Sequence, residues 1–439
     1  MQRATLALPA SDDIAWIARF RRAVAGELTP LCELIQEELG RGKFESMTSD
    51  IVPFLSACRW TERHSKKILA SKKLPGRTIW QLGQRHRVDR APLGDVGIIA
   101  TWNYPIQLLG VQLIHAIAGG NRVLVKPSER SPKTQIRLLE LAREAGLGAN
   151  RLDWTAATRE AGESMLRAHR FDHVVFTGST QVGRVIAGHL SQTLTPSTLE
   201  LSGCDSALVL SDADVDLAAD AIGFALLLNS GRTCMAPRRV IVNRSVSNDL
   251  IQALERSLSR PELPPPFDDF GDPAISDLVQ SAIADGGQEI GHSRHMRARV
   301  VANCSRSAEL AKGEHFGAAL GVLSVDSDEE VFSMHQAFRQ RLATSVFSRR
   351  LANRMGLVTS CGSGIVTVND CVIPTGHPGV GIGGIGESGW GVSRGAEGLL
   401  SMTRSVYVSK TGSRVRVPTQ PPGERAQRGI ERFVRRRYG

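Results

Sequence analysis

Between Asp95 and Gly203, short apolar runs of strand length alternate with longer helical segments, and this alternation restricts the fold more than any other feature of the chain. "DVGIIAT" reads as a buried strand and "IQLLGVQLIHAIA" as a helix. "NRVLVKP" is a second strand, "SPKTQIRLLELAREAG" a second helix, and "RLDWTAA" a weaker third strand. "DHVVFTGS" is a clear fourth, followed by the helix "TQVGRVIAGHLSQTL" and a fifth strand, "STLELSG". Unbroken apolar runs fit strands covered on both faces, and strand–helix–strand units close by right-handed crossovers, so the prediction is a parallel sheet. Ligands of such sheets sit beyond the carboxyl ends of the strands.

After Gly203 the rhythm restarts with "SALVLSD", the helix "VDLAADAIGFALLLNS" and the strand "RRVIVN", then "GVLSV", "ATSVFS" and "GIVTVND". That predicts a second α/β domain. Residues 11–70 have apolar residues at helical spacing, and 77–94 alternate like strands with a turn. Residues 258–275, rich in Pro and Asp, read as a loop, and 276–313 give weak signals.

A chain of 439 residues has room for two or three domains. Its seven cysteines are irregularly spaced and include no Cys-x-x-Cys pair, so neither a disulfide framework nor a metal site is expected. Reduced thiols fit a cytoplasmic protein. The N-terminus lacks a long apolar run, so no signal peptide is expected, and the uncharged stretch from Asp95 to Arg122 is broken by "NYP" and "AGGN". Net charge is +10, and the tail "GERAQRGIERFVRRRYG" is strongly basic. Such a tail can meet nucleic acid or an anionic membrane, but the expectation is a solvated, flexible terminus with no nucleic-acid partner.

Several residues carry candidate chemistry, each with a structural alternative. Cys234, in "NSGRTCMAPRRV", ends an apolar helical stretch and is either packing material or a nucleophile; Cys204 reads as packing. Glu200, in "STLELSG", is either a buried acid with a raised pKa suited to general-base work or an edge-strand glutamate facing water. Asn103 in "ATWNYP" can donate to an oxyanion or simply make a turn. Lys126 and Glu129 in "VKPSE" follow the second strand, where an acid commonly meets ribose hydroxyls; otherwise they are surface charge beside a cap at Ser128. Gly178 and Ser179 in "FTGSTQVG" precede a helix whose free amides favour an anion; otherwise they form a plain strand-to-helix turn. "GIGGIG", Gly381–Gly386, matches G-x-G-x-x-G, but prolines and glycines rather than a strand precede it, so it reads as a flexible loop lining a site.

The succession "WNYP", "KPSE", "FTGST-x-VG", "LELSG", "GRTC", "EHFG" and "GIGGIGESGWG" resembles the aldehyde dehydrogenase superfamily over roughly residues 80–410, most closely the branch acting on aromatic and longer-chain aldehydes. The resemblance implies an α/β fold with a Rossmann-like parallel-sheet cofactor domain, a second α/β catalytic domain and a β-hairpin oligomerisation element. The corresponding division is 1–203 for the NAD(P)-binding domain with hairpin 77–94, 204–395 for the catalytic domain, 396–415 returning to the cofactor and oligomerisation region, and a flexible tail at 416–439. It implies Cys234 as nucleophile, Glu200 as the group activating water and Asn103 as oxyanion donor. Lys126 and Glu129 match ribose contacts, and Gly178 and Ser179 match pyrophosphate contacts. Glu314 and Phe316 match residues holding the nicotinamide ribose and ring, with Trp102 beside the cofactor cleft.

The implied reaction is oxidation of an aldehyde to a carboxylate through a thiohemiacetal and a thioester, with NAD favoured over NADP because Glu129 repels a ribose phosphate. The implied assembly is a homodimer or homotetramer. The chain departs from the family pattern at Ser202, Cys204 and Ala318 and over a short 235–313 region. Those departures keep two alternatives open: acyl transfer to coenzyme A, against which Glu200 argues, and a catalytically silent dinucleotide-binding homologue.

Overall fold

The computed structural model describes residues 11–75, 83–260, 273–291, 296–350, 355–412 and 423–439. The chain divides into two compact units, the larger made of residues up to Ile68 with Ala91–Arg404, the smaller of Leu69–Arg90 with Ser405–Gly439. The smaller unit is built on a three-stranded sheet ordered β1 (Lys72–Lys73), β2 (Gln84–Pro92) and β18 (Thr403–Thr411). β1 and β2 are antiparallel, with Lys72 opposite Val88. Of the stretch 77–94, expected to form strands with a turn, 84–92 form β2, and 77–82 lie outside the described residues.

In the larger unit β3 (Asp95–Ile99), β4 (Arg122–Lys126), β5 (Leu152–Trp154), β6 (His173–Gly178) and β7 (Ser197–Leu201) pair in parallel as β7-β6-β3-β4-β5, with β17 (Gly389–Trp390) antiparallel on β7. These are the five strands read from the sequence. The helices Arg159–Ala168 and Thr180–Ser191 cover one face through Met165, Ile186 and Leu190, which pack with Val174, Phe176 and Leu199.

The second sheet begins within four residues of the end of β7. It runs β10 (Gln288–Ile290), β11 (Arg299–Ala302), β12 (Ala319–Val325), β9 (Pro237–Asn243), β8 (Asp205–Val209), β14 (Ala343–Phe347), β15 (Ile365–Val368), and only β10 is antiparallel to its neighbour. Successive side chains enter different cores: Val240, Val242, Leu320 and Val322 lie in one cluster, Ile241, Ala319, Leu323 and Val325 in the other. That is the two-residue period of a strand buried on both faces.

One expectation is corrected. The loop expected over 258–275 overlaps 261–272, which lie outside the described residues, but the helix Pro273–Ala284 begins inside it, with proline in its first turn where its missing N–H costs nothing. The tail expected to be flexible over 416–439 contains the helix Glu424–Tyr438. Arginine is a good helix former, Glu424 pairs with Arg428 one turn on, and Arg435, Arg436 and Arg437 face the negative end of the helix dipole.

The N-terminal helices Ser11–Gly26, Leu28–Leu39 and Val52–Ile68 confirm the helical reading of 11–70; the second packs on Pro132–Glu144, and the first and third on the buried helix Gln107–Ala118. Gly110 permits this approach, since a Cβ there would stand 2.5 Å from the Phe54 ring. Between them lies a buried ion pair. Arg41 Nη2 donates to Asp50 Oδ2 at 2.6 Å, Asp50 Oδ1 accepts the Gln107 amide at 2.6 Å, and Arg41 Nη1 donates to the Asn103 carbonyl at 2.9 Å. Burial raises the Asp50 carboxyl above its usual pKa, and Arg41 pulls it back. Asp50→Ala would leave a buried guanidinium uncompensated, and chemical denaturation is expected to show a loss of about 3–5 kcal/mol.

Candidate active site

A cavity of about 1250 Å³ opens at the carboxyl ends of β3, β4, β6 and β7, and its lining includes all ten residues singled out above: Trp102, Asn103, Lys126, Glu129, Gly178, Ser179, Glu200, Cys234, Glu314 and Phe316. They come from six separate stretches of chain. Lys126 ends β4, Gly178 ends β6, and Ser179 caps the helix Thr180–Ser191 by accepting from the Val182 amide at 3.3 Å.

Glu200 lies on β7 between Thr177 of β6 and Gly389 of β17, so it is internal to the sheet and 6% exposed, not an edge residue facing water. Its Oε2 accepts from Thr177 Oγ1 at 3.4 Å, while Oε1 has no hydrogen-bond partner. Burial pushes the Glu200 pKa up to about 7; the Arg394 charge and the Thr177 hydroxyl oppose the rise. Arg394 lines the same cavity with a positive φ of 62°. A carboxylate with one free oxygen and a pKa near neutrality is equipped to take a proton from water.

Cys234 is half-buried, between the helix Val215–Leu227 and β9. Burial, and then the Asp205 and Glu200 charges, push its thiol up to about 12. The loop before it is unusual. Asn229, Ser230 and Gly231 have φ of 53°, 54° and 77°, three left-handed residues in succession, two of them not glycine. Gly231 is also wedged against the Phe316–Ala318 segment, since a Cβ there would meet the Gly317 carbonyl carbon at 2.3 Å.

Side chains from distant segments hold this loop. Asn103 Nδ2 donates to the Arg232 carbonyl at 2.9 Å, and Tyr104 and Thr233 share a hydrogen bond of 2.5 Å. Asn229 Nδ2 donates to the Asn103 carbonyl at 2.8 Å. Arg238, fully buried, donates to the carbonyls of Gly231 at 2.5 Å, Thr233 at 3.2 Å and Gly317 at 2.7 Å. An amide nitrogen carries two protons, so the Asn103 bond to Arg232 leaves the second N–H for a ligand oxygen.

The residues also suit a nicotinamide dinucleotide. The start of Thr180–Ser191 offers backbone amides to an anion; in this structure Glu314 Oε2 accepts from the Thr180 amide at 3.1 Å, which shows that an oxyanion fits there. Lys126 and Glu129 form an ion pair at the end of β4, where ribose hydroxyls can exchange with it. Trp102 and Phe316 meet edge to face at 5.8 Å, and Arg130 lies 3.6 Å over the Trp102 ring.

Sequence reading missed Arg394 and Tyr104, and it leaves the Arg238 charge, near Cys234 in sequence, without a place. Tyr104 and Arg394 act on Thr233 and Glu200, more than 100 residues away, and Arg238 reaches the Gly317 carbonyl 79 residues on, so nothing local fixes their roles. The "GIGGIG" segment is not a free loop: β16 (Ile385–Gly386) pairs with β13 (Gln340–Arg341), Ile382 bridges Ser393, and Ile382 lines the cavity, with no helix opening on the glycines. Cys204 is packing, fully buried, with Arg239 Nη1 at 3.3 Å from its sulfur. Ser202 lines the cavity and donates its amide to the Gly178 carbonyl at 3.1 Å.

A parallel sheet whose strand ends open on a cavity beside a helix start is the ligand-binding arrangement of doubly wound α/β enzymes. The sequence model of the aldehyde dehydrogenase family matches residues 2–408, and the chain belongs to that family. It is 28% identical to the 4,4'-diapolycopene aldehyde oxidase of Methylomonas sp., over 94% of this chain and 80% of that one. It is 30% identical to the benzaldehyde dehydrogenase [NAD(+)] of Pseudomonas putida, over 80% of this chain and 75% of that one. Among solved structures, the substrate-bound state of Staphylococcus aureus AldH superposes with a TM-score of 0.86 at 25% identity, covering 98% of this chain and 96% of that one. The protein is therefore an enzyme of the NAD(P)-dependent aldehyde dehydrogenase class, and aldehyde oxidation is its reaction type.

Proposed function

We propose that the enzyme oxidises an apolar aldehyde to its carboxylate with NAD, through an acyl group carried on Cys234. The convergence of Cys234, Glu200 and Asn103 on one cavity beside the Thr180 helix start carries this reading. Cys234 Sγ adds to the aldehyde carbon as its proton leaves, and Glu200 is the nearby base of suitable pKa. The free N–H of Asn103 and the Cys234 amide stabilise the oxyanion. The chemistry the dinucleotide supplies when bound is acceptance of a hydride. Cys234 then holds a thioester, and Glu200 takes a proton from water as the water attacks it, freeing the carboxylate.

Pro53, Leu108, Phe224, Leu228, Val372 and Ile373 line the cavity with apolar surface, which supports an aromatic or longer-chain aldehyde. Following NADH formation with benzaldehyde and hexanal, with and without coenzyme A, tests the reading. Turnover is expected without coenzyme A, and strict dependence on it would sink the hydrolytic route. Asn103→Ala is expected to lower kcat by about 10²–10³ with a smaller change in KM, because its donor acts mainly on the developing oxyanion. Glu129→Ala is expected to raise kcat/KM for NADP relative to NAD by about tenfold, by removing a charge that opposes a ribose phosphate. Parallel assays with both cofactors read the ratio.

The seven free thiols support a cytoplasmic location. We take the enzyme to be a homodimer or homotetramer, with 1–203 and 204–395 acting as cofactor and catalytic domains and the β1-β2-β18 sheet as the assembly element.

A further inference from the structure

The helix Glu424–Tyr438 has no buried residue. At 3.6 residues per turn, Ile430, Phe433, Val434 and Tyr438 fall on one side. Ile430, Val434 and Tyr438 are 56%, 46% and 65% exposed, and the Phe433 and Tyr438 rings meet edge to face. Arg425, Arg428, Arg432, Arg435 and Arg436 occupy the opposite side, and Glu424 and Glu431 are the only acids of the helix.

The two faces ask for different things at once. The arginines call for anions, and the apolar side calls for removal from water. A nucleic acid backbone would satisfy the arginines and leave Ile430, Val434 and Tyr438 in water. A second copy of the helix would cover the apolar side but bring two strongly cationic surfaces together. An anionic bilayer surface satisfies both faces, with acyl chains under one and headgroup phosphates beside the other. Arg437, which falls within the apolar side between Phe433 and Ile430, sits in the last turn, where it can lay its stem along that surface and lift its guanidinium to the headgroups. Among the described residues no helix is long and apolar enough to cross a membrane, so the contact is peripheral.

We propose that Glu424–Tyr438 is a membrane-surface helix that lies in the interface of an anionic lipid bilayer, with Ile430, Phe433, Val434 and Tyr438 toward the acyl chains. This does not rest on the catalytic reading, and its test does not use turnover as the readout.

The test is flotation of the full-length enzyme with phosphatidylcholine vesicles and with vesicles in which part of that lipid is replaced by phosphatidylglycerol. Partitioning onto the phosphatidylglycerol vesicles is expected, weakening with added salt, and weaker by about tenfold or more on phosphatidylcholine alone. Ile430→Asp with Val434→Asp is expected to cut partitioning by about tenfold or more, whereas Ile430→Leu with Val434→Leu retains it. These positions are exposed, so the folded enzyme and its turnover of a water-soluble aldehyde serve as the control. Failure to float on either vesicle overturns the proposal, as does unchanged flotation in the Asp double variant. A change in oligomer mass by light scattering in that variant, without flotation of the parent, would reassign the face to self-association. Duplex DNA binding by the parent without flotation would reassign the arginines to nucleic acid.

Discussion

Cys234→Ala is expected to abolish aldehyde-dependent NADH formation, with a loss on the order of 10⁴-fold or more in kcat, while the protein remains folded. No other described cysteine can take over. Cys32, Cys58, Cys204, Cys304, Cys361 and Cys371 are buried, and Cys234 alone among the seven lines the cavity. The structural cost of the change is small. Cys234 packs only at the margin of a small cluster of Leu342, Ala343, Ile365 and Ile382, so losing one sulfur costs about 1 kcal/mol. Thermal unfolding of the variant close to that of the parent would separate lost chemistry from lost structure. Turnover equal to that of the parent would remove Cys234 from the mechanism.

The second large effect is expected at Glu200. Glu200→Gln keeps the shape of the side chain and removes the base. The variant should release one equivalent of NADH per site in a burst and then turn over about 10²–10⁴-fold more slowly, because the thioester forms but water is no longer activated. A base works when deprotonated, and burial holds the Glu200 proton up to about pH 7. Steady-state activity of the parent should therefore fall as pH drops through about 7, and the Gln variant should lose that inflection. The Glu200 charge also raises the Cys234 thiol pKa, so its removal should move the pH profile of Cys234 alkylation to lower pH. Steady turnover without a burst, at the parent's rate, would reject the role.

The strands β3 to β7 were legible because each is covered on both faces and reads as a compact apolar run. Weak signals over 276–313 have a physical cause as well: β10 is three residues long, antiparallel and at the sheet's edge, with none of its residues fully buried. In the basic tail the arginine count dominates the composition, while the i, i+4, i+8 series Ile430, Val434, Tyr438 carries the helical signal. Glu200 could be read either way until β17, almost 190 residues later, paired with β7 and made it internal.

By itself, the amino-acid sequence determined the two parallel-sheet cores, the turns at which their strands end, and the order of the motifs that carry Cys234, Glu200 and Asn103. Those depend on local periodicity and on residue types within a few positions of one another. The tertiary structure alone decided the electrostatics and strain of the site: the partnerless oxygen of Glu200, the Arg394 charge set against it, the left-handed run before Cys234, and the Arg238 guanidinium that holds its carbonyls. Each of these arises from desolvation and from contacts between segments far apart in the chain, and neither quantity exists until the chain has folded.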